Sequence, residues 1–418
     1  MSLTANLDEA ATLLIDPAAF TDMDAWHRRM GVIRRATPFV PVQVEGFSPF
    51  VGVLRHADIS AIERDPELWL NTSRSVLGPD ANDAAMESAG IPAPRTLVHL
   101  DGQDHRDHRL VTNDWFKPAA VKRLQPMVDE VSDIFIERMR ELGGECDFAR
   151  DIAQPFTLKV IMEIFGVPEE DRQLMLELTQ GLFGAADPEF MGDAADPLEA
   201  AMGAVMKFIN YFGAITEDRQ KHPTSDLATV IATGMPGGHP MGDAERLWYY
   251  IIIATAGHDT TSFAMSGGLE ALLRDPDQLW ALRDEPELVV NAADEIIRWT
   301  TPVRHFLRYA TADTSVGGVD IPKGGRVLLC YPSANRDEEL FEAPDTFDVR
   351  RANSDRTLSF GYGTHFCLGS QVARREIRTM FARLANELES IEAAGPAEWS
   401  ASGFVSGVKH LPIRYRFK

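Results

Sequence analysis

The feature that most constrains this 418-residue chain is one cysteine and the string around it. Cys367 sits near the end of Phe360-Gly-Tyr-Gly-Thr-His-Phe-Cys-Leu-Gly369, and an apolar stripe of Ile377, Met380, Phe381, Leu384 and Leu388 follows at helical spacing. The sulfur therefore lies just ahead of a helix N-terminus, where unsatisfied N–H groups and the positive dipole end favour thiolate over thiol. The loop glycines let the backbone approach something flat and close. A lone cysteine is ordinarily a small buried hydrophobe, and Cys146 and Cys330, which have no such surroundings, are read that way.

The rest of the chain has to build a large core around this loop. An apolar fraction of 44% and a charged fraction of 25% are ordinary globular values, and no low-complexity tract divides the sequence. Residues 1–418 are therefore expected to form one domain without disulfides or structural metal. The balance of 41 Lys+Arg against 63 Asp+Glu gives a net charge of -22, which sets the molecule as a whole against nucleic acid and anionic membrane. Three cysteines far apart, with no CxxC spacing, argue against a disulfide framework or zinc ribbon and point to a reducing, cytoplasmic setting. The opening MSLTANLDEAATLLID has no basic region and no long apolar core, and Leu247 to Gly257 is too short to span a bilayer, so neither a signal peptide nor a membrane anchor is expected.

Along the chain, Phe39 to Val44 and Phe50 to Leu54 flank Glu45-Gly46 and predict a β-hairpin. From Val121 the pattern turns helical: Val121, Leu124, Val128, Val131, Phe135 and Leu142 share one face, with Gly143-Gly144 as a stop. The acidic, proline-bearing stretch Ala185 to Pro197 is expected to be a surface loop fit to act as a lid. A breaker-rich loop, Gly234 to Gly242, leads into an apolar helix beginning near Ala244, and Thr314 to Cys330 predicts short strands joined by glycine turns. The architecture is mainly α with small sheets, the β-rich portion falling within 39–55 and 309–331.

The helix from Ala244 carries Ala256-Gly-His-Asp-Thr-Thr261 in its middle, where polar groups are costly without partners. Thr260 is placed to bond back to the Ala256 carbonyl, bending the helix and opening a groove. Glu295 and Arg298 stand three apart on a helix ended by Pro302, and His105 and Arg109 stand one turn apart, so that both can point toward one anion. Metal ligation by His105 and His108 lacks a third ligand at suitable spacing.

These four strings occur together and in order, and the chain resembles the cytochromes P450 through them. Phe360, Gly361, Gly363, His365, Cys367 and Gly369 fill every fixed position of F-G-x-G-x-H-x-C-x-G. Ala256 to Thr260 is similar to the oxygen-activating helix, Glu295 and Arg298 to the ExxR motif, and His105 and Arg109 to HxxxR. The look is nearest to the bacterial, ferredoxin-dependent group that hydroxylates terpineol, carried by Ile253 to Thr261, Tyr331 to Glu339 and Phe404 to Val408.

The resemblance implies the P450 triangular-prism fold around haem b, with Cys367 as the iron ligand and thiolate donation favouring O–O cleavage. It implies that Phe360 and Gly369 border the haem and that His105, Arg109, Arg308 and His365 hold the two propionates. Asp259 and Thr260 become an acid–alcohol pair delivering protons, while Glu295 and Arg298 are structural and His258 falls at a variable position without a role. By likeness, Ile252, Thr255, Ala256, Val303, Phe306, Phe404 and Val405 face the substrate, a small hydrophobic molecule such as a monoterpenoid or alkyl-aromatic. O2 is the co-substrate. Electrons come from a ferredoxin with its NAD(P)H-dependent reductase, docked on a basic patch that includes Arg374 and Arg375. A peroxide-driven peroxygenase of the same fold and a non-catalytic haem sensor are the competing readings. The Asp259–Thr260 pair argues against both, since peroxide already brings its protons and a sensor has no use for them.

Overall fold

A computed structural model describes residues 3–72, 74–88, 93–183, 187, 189 and 197–418. The chain is mainly helical, and one apolar cluster running from Leu97 to Tyr415 joins most of the helices. The largest sheet packs around two further clusters, one of them shared with the N-terminal helices Leu3–Ile15 and Met23–Ala36, while the sheet holding Pro412–Phe417 packs into the main cluster. Among the described residues no helix is long and apolar enough to cross a membrane.

The helix expected from Ala244 forms as two pieces, Asp243–Ala256 and Asp259–Arg274. Glu245 starts the first by accepting from the Gly242 amide at 2.8 Å. Thr260 Oγ1 donates to the Ala256 carbonyl at 2.7 Å, in keeping with the expected back-bond, and the ladder breaks at Gly257-His258. The pattern from Val121 is also divided, into Pro118–Arg123 and Gln125–Glu141, because Pro126 opens a new helix at its second position. The helix after the cysteine loop, Ser370–Glu387, stops one residue before Leu388, whose backbone is extended and begins the strand Leu388–Ala393.

The expected hairpin is present: Phe39–Val42 pairs antiparallel with Phe50–Val53 in the register Phe39↔Val53. Arg326–Cys330 lies parallel beside the second strand and antiparallel to His305–Ala310, so two segments far apart in sequence make one sheet. The strand placed at 309 begins at His305, which puts Phe306 and Arg308 on it. A second sheet was not anticipated: Pro412–Phe417 sits between Glu145–Asp147 and Leu388–Ala393. All three cysteines are free, and burial pushes the Cys146 and Cys330 thiols up to about 12.

Of the acidic stretch Ala185 to Pro197, only Asp187, Glu189 and Pro197 lie inside the described residues. Asp187 accepts from Lys409 Nζ at 3.0 Å and from the Ala401 amide at 3.1 Å. Glu189 meets His410 Nε2 at 3.0 Å, and His410 Nδ1 lies 2.5 Å from Asp147. Burial pulls the His410 pKa down, but its bonds to Asp147 and Glu189 outweigh this and raise it above 6.5. Glu189 is lowered, because bonds from Lys409 and His410 outweigh burial. The His410 contribution is thus complete below its unfolded pKa and is lost as pH rises through the raised folded value. The Glu189 contribution holds above its unfolded pKa and is lost as pH falls through the lowered one. The unfolding midpoint should accordingly decline between the unfolded His410 pKa of 6.5 and its raised folded value. Since Glu189 is partly exposed, the change is on the order of 1 kcal/mol or less. A thermal melt series should lose that step in His410→Gln, and an unaltered step would assign it to another group.

Candidate active site

The broken helix presents an open stripe in the middle of the protein. Ile252 is partly exposed, Ala256 exposed and Thr260 partly exposed, at steps of four residues, while Ile251, Ile253, Ala254, His258 and Asp259 are buried. The stripe is a narrow exposed line on a helix otherwise buried in the main apolar cluster. Thr255, expected on this stripe, is off it: the side chain is buried and its hydroxyl donates to the Ile251 carbonyl at 2.6 Å. The other substrate-facing residues predicted from sequence converge. Val303 bridges to Val405, and the Phe306 ring meets Phe404 edge-on with centroids 5.4 Å apart.

Cys367 lies at the end of a pinned loop. Its amide donates to the Phe360 carbonyl at 2.8 Å, and Gly361 and Gly363 take positive φ values of 67° and 69°. Glycine is required at 363, where a Cβ would overlap the Glu63 carbonyl oxygen. Gly369 caps the helix, and a Cβ there would meet open space. The Phe360 ring carries the Arg374 guanidinium 4.6 Å from its centroid. Burial pushes the Cys367 thiol up, against the Gly369 amide, the charges of Arg109 and Arg374 and the Ser370 amide. The Gly369 and Ser370 amides act in the direction expected of a helix N-terminus, and burial acts against them.

The four predicted anion-binding residues gather around the same loop. Arg109 Nη2 donates to the Phe366 carbonyl at 2.6 Å, and among the described residues no carboxylate pairs with it. Burial lowers its pKa. The His105 and His365 rings lie tilted against each other with centroids 4.2 Å apart, and His365 Nε2 is 3.7 Å from Asp101. Burial, and then the neighbouring His365 and Arg109, lower His105 to about 3, and burial lowers His365 too, so both rings offer N–H groups rather than charge. Arg308 is buried and spends one arm on Glu63 at 2.8 Å. A buried sulfur, a guanidinium with no carboxylate partner among the described residues, two imidazoles near it and a partly exposed helix stripe fit a flat, anionic, metal-bearing group.

Three residues of this arrangement were invisible or passed over in the sequence. Glu63 and Tyr331, whose hydroxyl donates to Glu63 Oε1 at 2.9 Å, are separated from Arg308 in the chain and meet it only through the sheet. His258 did carry a signal, a polar residue beside an acid in an apolar helix, and it proves fully buried. Glu295 and Arg298 are entirely buried, with Arg298 Nε 2.7 Å from Glu295 Oε2, in keeping with a structural pair. Arg374 and Arg375 do not stand free for docking: Arg374 is paired with Asp294 at 2.6 Å and Arg375 donates to Gln125.

A helical fold with small sheets and a deep cysteine flanked by Arg109, His105 and His365 suits a haem-carrying oxidoreductase. Residues 67–390 match the family described as Cytochrome P450, and the chain belongs to that family, whose members are haem b monooxygenases. It is 37% identical over 418 residues to Cytochrome P450-terp of a Pseudomonas species, covering 98% of this chain and 97% of that one. A steroid C26-monooxygenase of Rhodococcus jostii is 31% identical over 95% of this chain and 84% of its own. The crystal structure of CYP108D1 from Novosphingobium aromaticivorans superposes with a TM-score of 0.90 at 35% identity, covering 98% of each chain.

Proposed function

We propose that this chain hydroxylates a small hydrophobic substrate, a monoterpenoid such as terpineol or an alkyl-aromatic, using O2 and electrons from a ferredoxin and its NAD(P)H-dependent reductase. The observation that carries the reading is the apolar meeting of Val303 with Val405 and of Phe306 with Phe404, which offers shape but few polar handles, while Ile252 and Ala256 add an apolar exposed stripe on the helix Asp243–Ala256. The likeness to Cytochrome P450-terp supports the terpenoid class.

Bound haem supplies the activation of O2 from which one oxygen atom enters the substrate. In this reading Cys367 Sγ ligates the iron, which compensates the burial that otherwise keeps the thiol protonated. Arg109 and Arg308 neutralise the propionates, and His105 and His365 donate hydrogen bonds to them. Phe360 and Gly369 leave room for the ring on the sulfur side. Thr260 Oγ1 presents a hydroxyl on the open stripe, and the Asp259 carboxylate behind it passes protons inward. Residues 1–418 act as one domain, supported by the apolar cluster that joins the helices from Leu97 to Tyr415. The free cysteines suit a cytoplasmic setting. With Arg374 and Arg375 only partly exposed, the ferredoxin patch falls to more exposed cations near the cysteine loop, such as Arg64, which bonds Tyr362, and Arg106, which bonds Gln103.

Optical titration of the ferric protein with α-terpineol, other monoterpenoids, alkylbenzenes, fatty acids and a steroid tests the substrate class. Saturable conversion to high spin is expected with the terpenoids or alkylbenzenes, as a well-fitting ligand displaces water. A response confined to fatty acids or steroid would reject the proposed class and leave the monooxygenase assignment intact.

A further inference from the structure

His258 is buried at the break between Asp243–Ala256 and Asp259–Arg274, and its ring touches three different elements. Nδ1 lies 3.0 Å from Asp259 Oδ1 and 3.2 Å from Thr179 Oγ1, on the helix Arg172–Phe183. Nε2 lies 3.2 Å from the carbonyl oxygen of Gln154, at the start of the helix Gln154–Phe165. Thr179 Oγ1 also lies 3.1 and 3.0 Å from the carbonyls of Met175 and Leu176. The Gln154 carbonyl accepts from Nε2, and Nδ1 lies between the Thr179 hydroxyl and the Asp259 carboxylate.

The consequence lies in where the shared nitrogen points. Nδ1 lies against Asp259 and Thr179 together, so the carboxylate and the helix Arg172–Phe183 meet at one atom. Movement of that helix would take from the ring one of its two anchors outside the break.

We propose that His258 is a positioning residue that aims the Asp259 carboxylate and, through Thr179, makes that aim depend on the seating of the helix Arg172–Phe183. The inference deepens the reading of Asp259 and Thr260 as the proton-delivering pair and rests on it. An ordinary core histidine would contribute to stability alone, whereas a positioning residue also governs how many electrons end in product.

The test uses the haem-loaded enzyme with its electron donors and two readouts: hydroxylated product per NAD(P)H consumed, and the His258 ring ¹⁵N resonances in the diamagnetic ferrous-CO form. Asp259→Asn and His258→Gln should both lower the product yield, and the double variant should be no worse than Asp259→Asn. Thr179→Val, which removes one hydrogen bond, should lower the yield by roughly 2- to 10-fold and shift the ring resonances. Thr179→Ser should restore both. If Asp259→Asn lowers the yield while Thr179→Val changes neither readout, the inference is overturned and the proton-delivery reading stands. If Asp259→Asn leaves the yield unchanged, the proton-delivery reading itself fails. Thr179→Val keeps the test decisive should His258→Gln fold poorly.

Discussion

Cys367→Ala should yield a folded protein that has lost the thiolate-ligated ferrous-CO band and all hydroxylation of substrate. The loop around the sulfur is held by its backbone: the Cys367 amide bonds to Phe360, and Val372 and Ala373 donate to the Gly369 carbonyl. None of these bonds uses Sγ, so removing it costs about 1 kcal/mol, the scale of a small buried atom. Function suffers far more, because no other thiol can substitute. Cys146 sits in the strand Glu145–Asp147 and Cys330 ends Arg326–Cys330, both outside the cysteine loop, and burial holds both thiols up at about 12. Far-UV circular dichroism checks that the variant is folded, and the ferrous-CO spectrum checks the ligand. A normal band in Cys367→Ala would remove Cys367 from the iron and with it the central assignment.

What the sequence disclosed follows from where its information is local. The loop from Phe360 to Gly369 is legible because its glycines, its cysteine and the helix after it are contiguous, and the structure retains that order. The hairpin at Phe39–Val42 and Phe50–Val53 is legible for the same reason. The second sheet was missed although Pro412–Phe417 alternates apolar and charged residues, since its partners lie in other parts of the chain. The burial that opposes the helix-terminus effect at Cys367 was not legible, because a helix terminus can be read from sequence whereas the depth at which it lies cannot. Thr255 was placed on the cavity by its neighbours in the string, but Ala256 and Ile252 define the open stripe four residues apart and leave Thr255 off it. The role inferred for His258 depends on Thr179 and Gln154, which only tertiary packing brings to it.

Glu295→Gln is expected to cost about 3–5 kcal/mol, a large share of the roughly 5–15 kcal/mol that holds a protein folded. One buried carboxylate here serves two buried guanidiniums: Oε2 accepts from Arg298 Nε at 2.7 Å, Oε1 from Arg298 Nη2 at 2.8 Å and from Arg351 Nε at 3.2 Å. The same carboxylate also accepts from the Asp348 amide at 3.0 Å and Ser354 Oγ at 3.1 Å. Glutamine keeps the shape but removes the charge and turns one acceptor into a donor facing donors. The damage travels toward the site, because Arg298 Nη1 holds the Asn335 carbonyl at 2.7 Å and Asn335 Oδ1 holds the Leu358 amide at 2.7 Å, two residues before Phe360. Haem content should therefore fall together with the denaturation midpoint, in contrast to Cys367→Ala, where the fold is kept and only ligation is lost. Denaturant titration with haem absorbance recorded in parallel measures both. If Glu295→Gln keeps the native midpoint, the buried pair is not what supports the cysteine loop, and the chain Glu295–Arg298–Asn335–Leu358 carries no stabilising load.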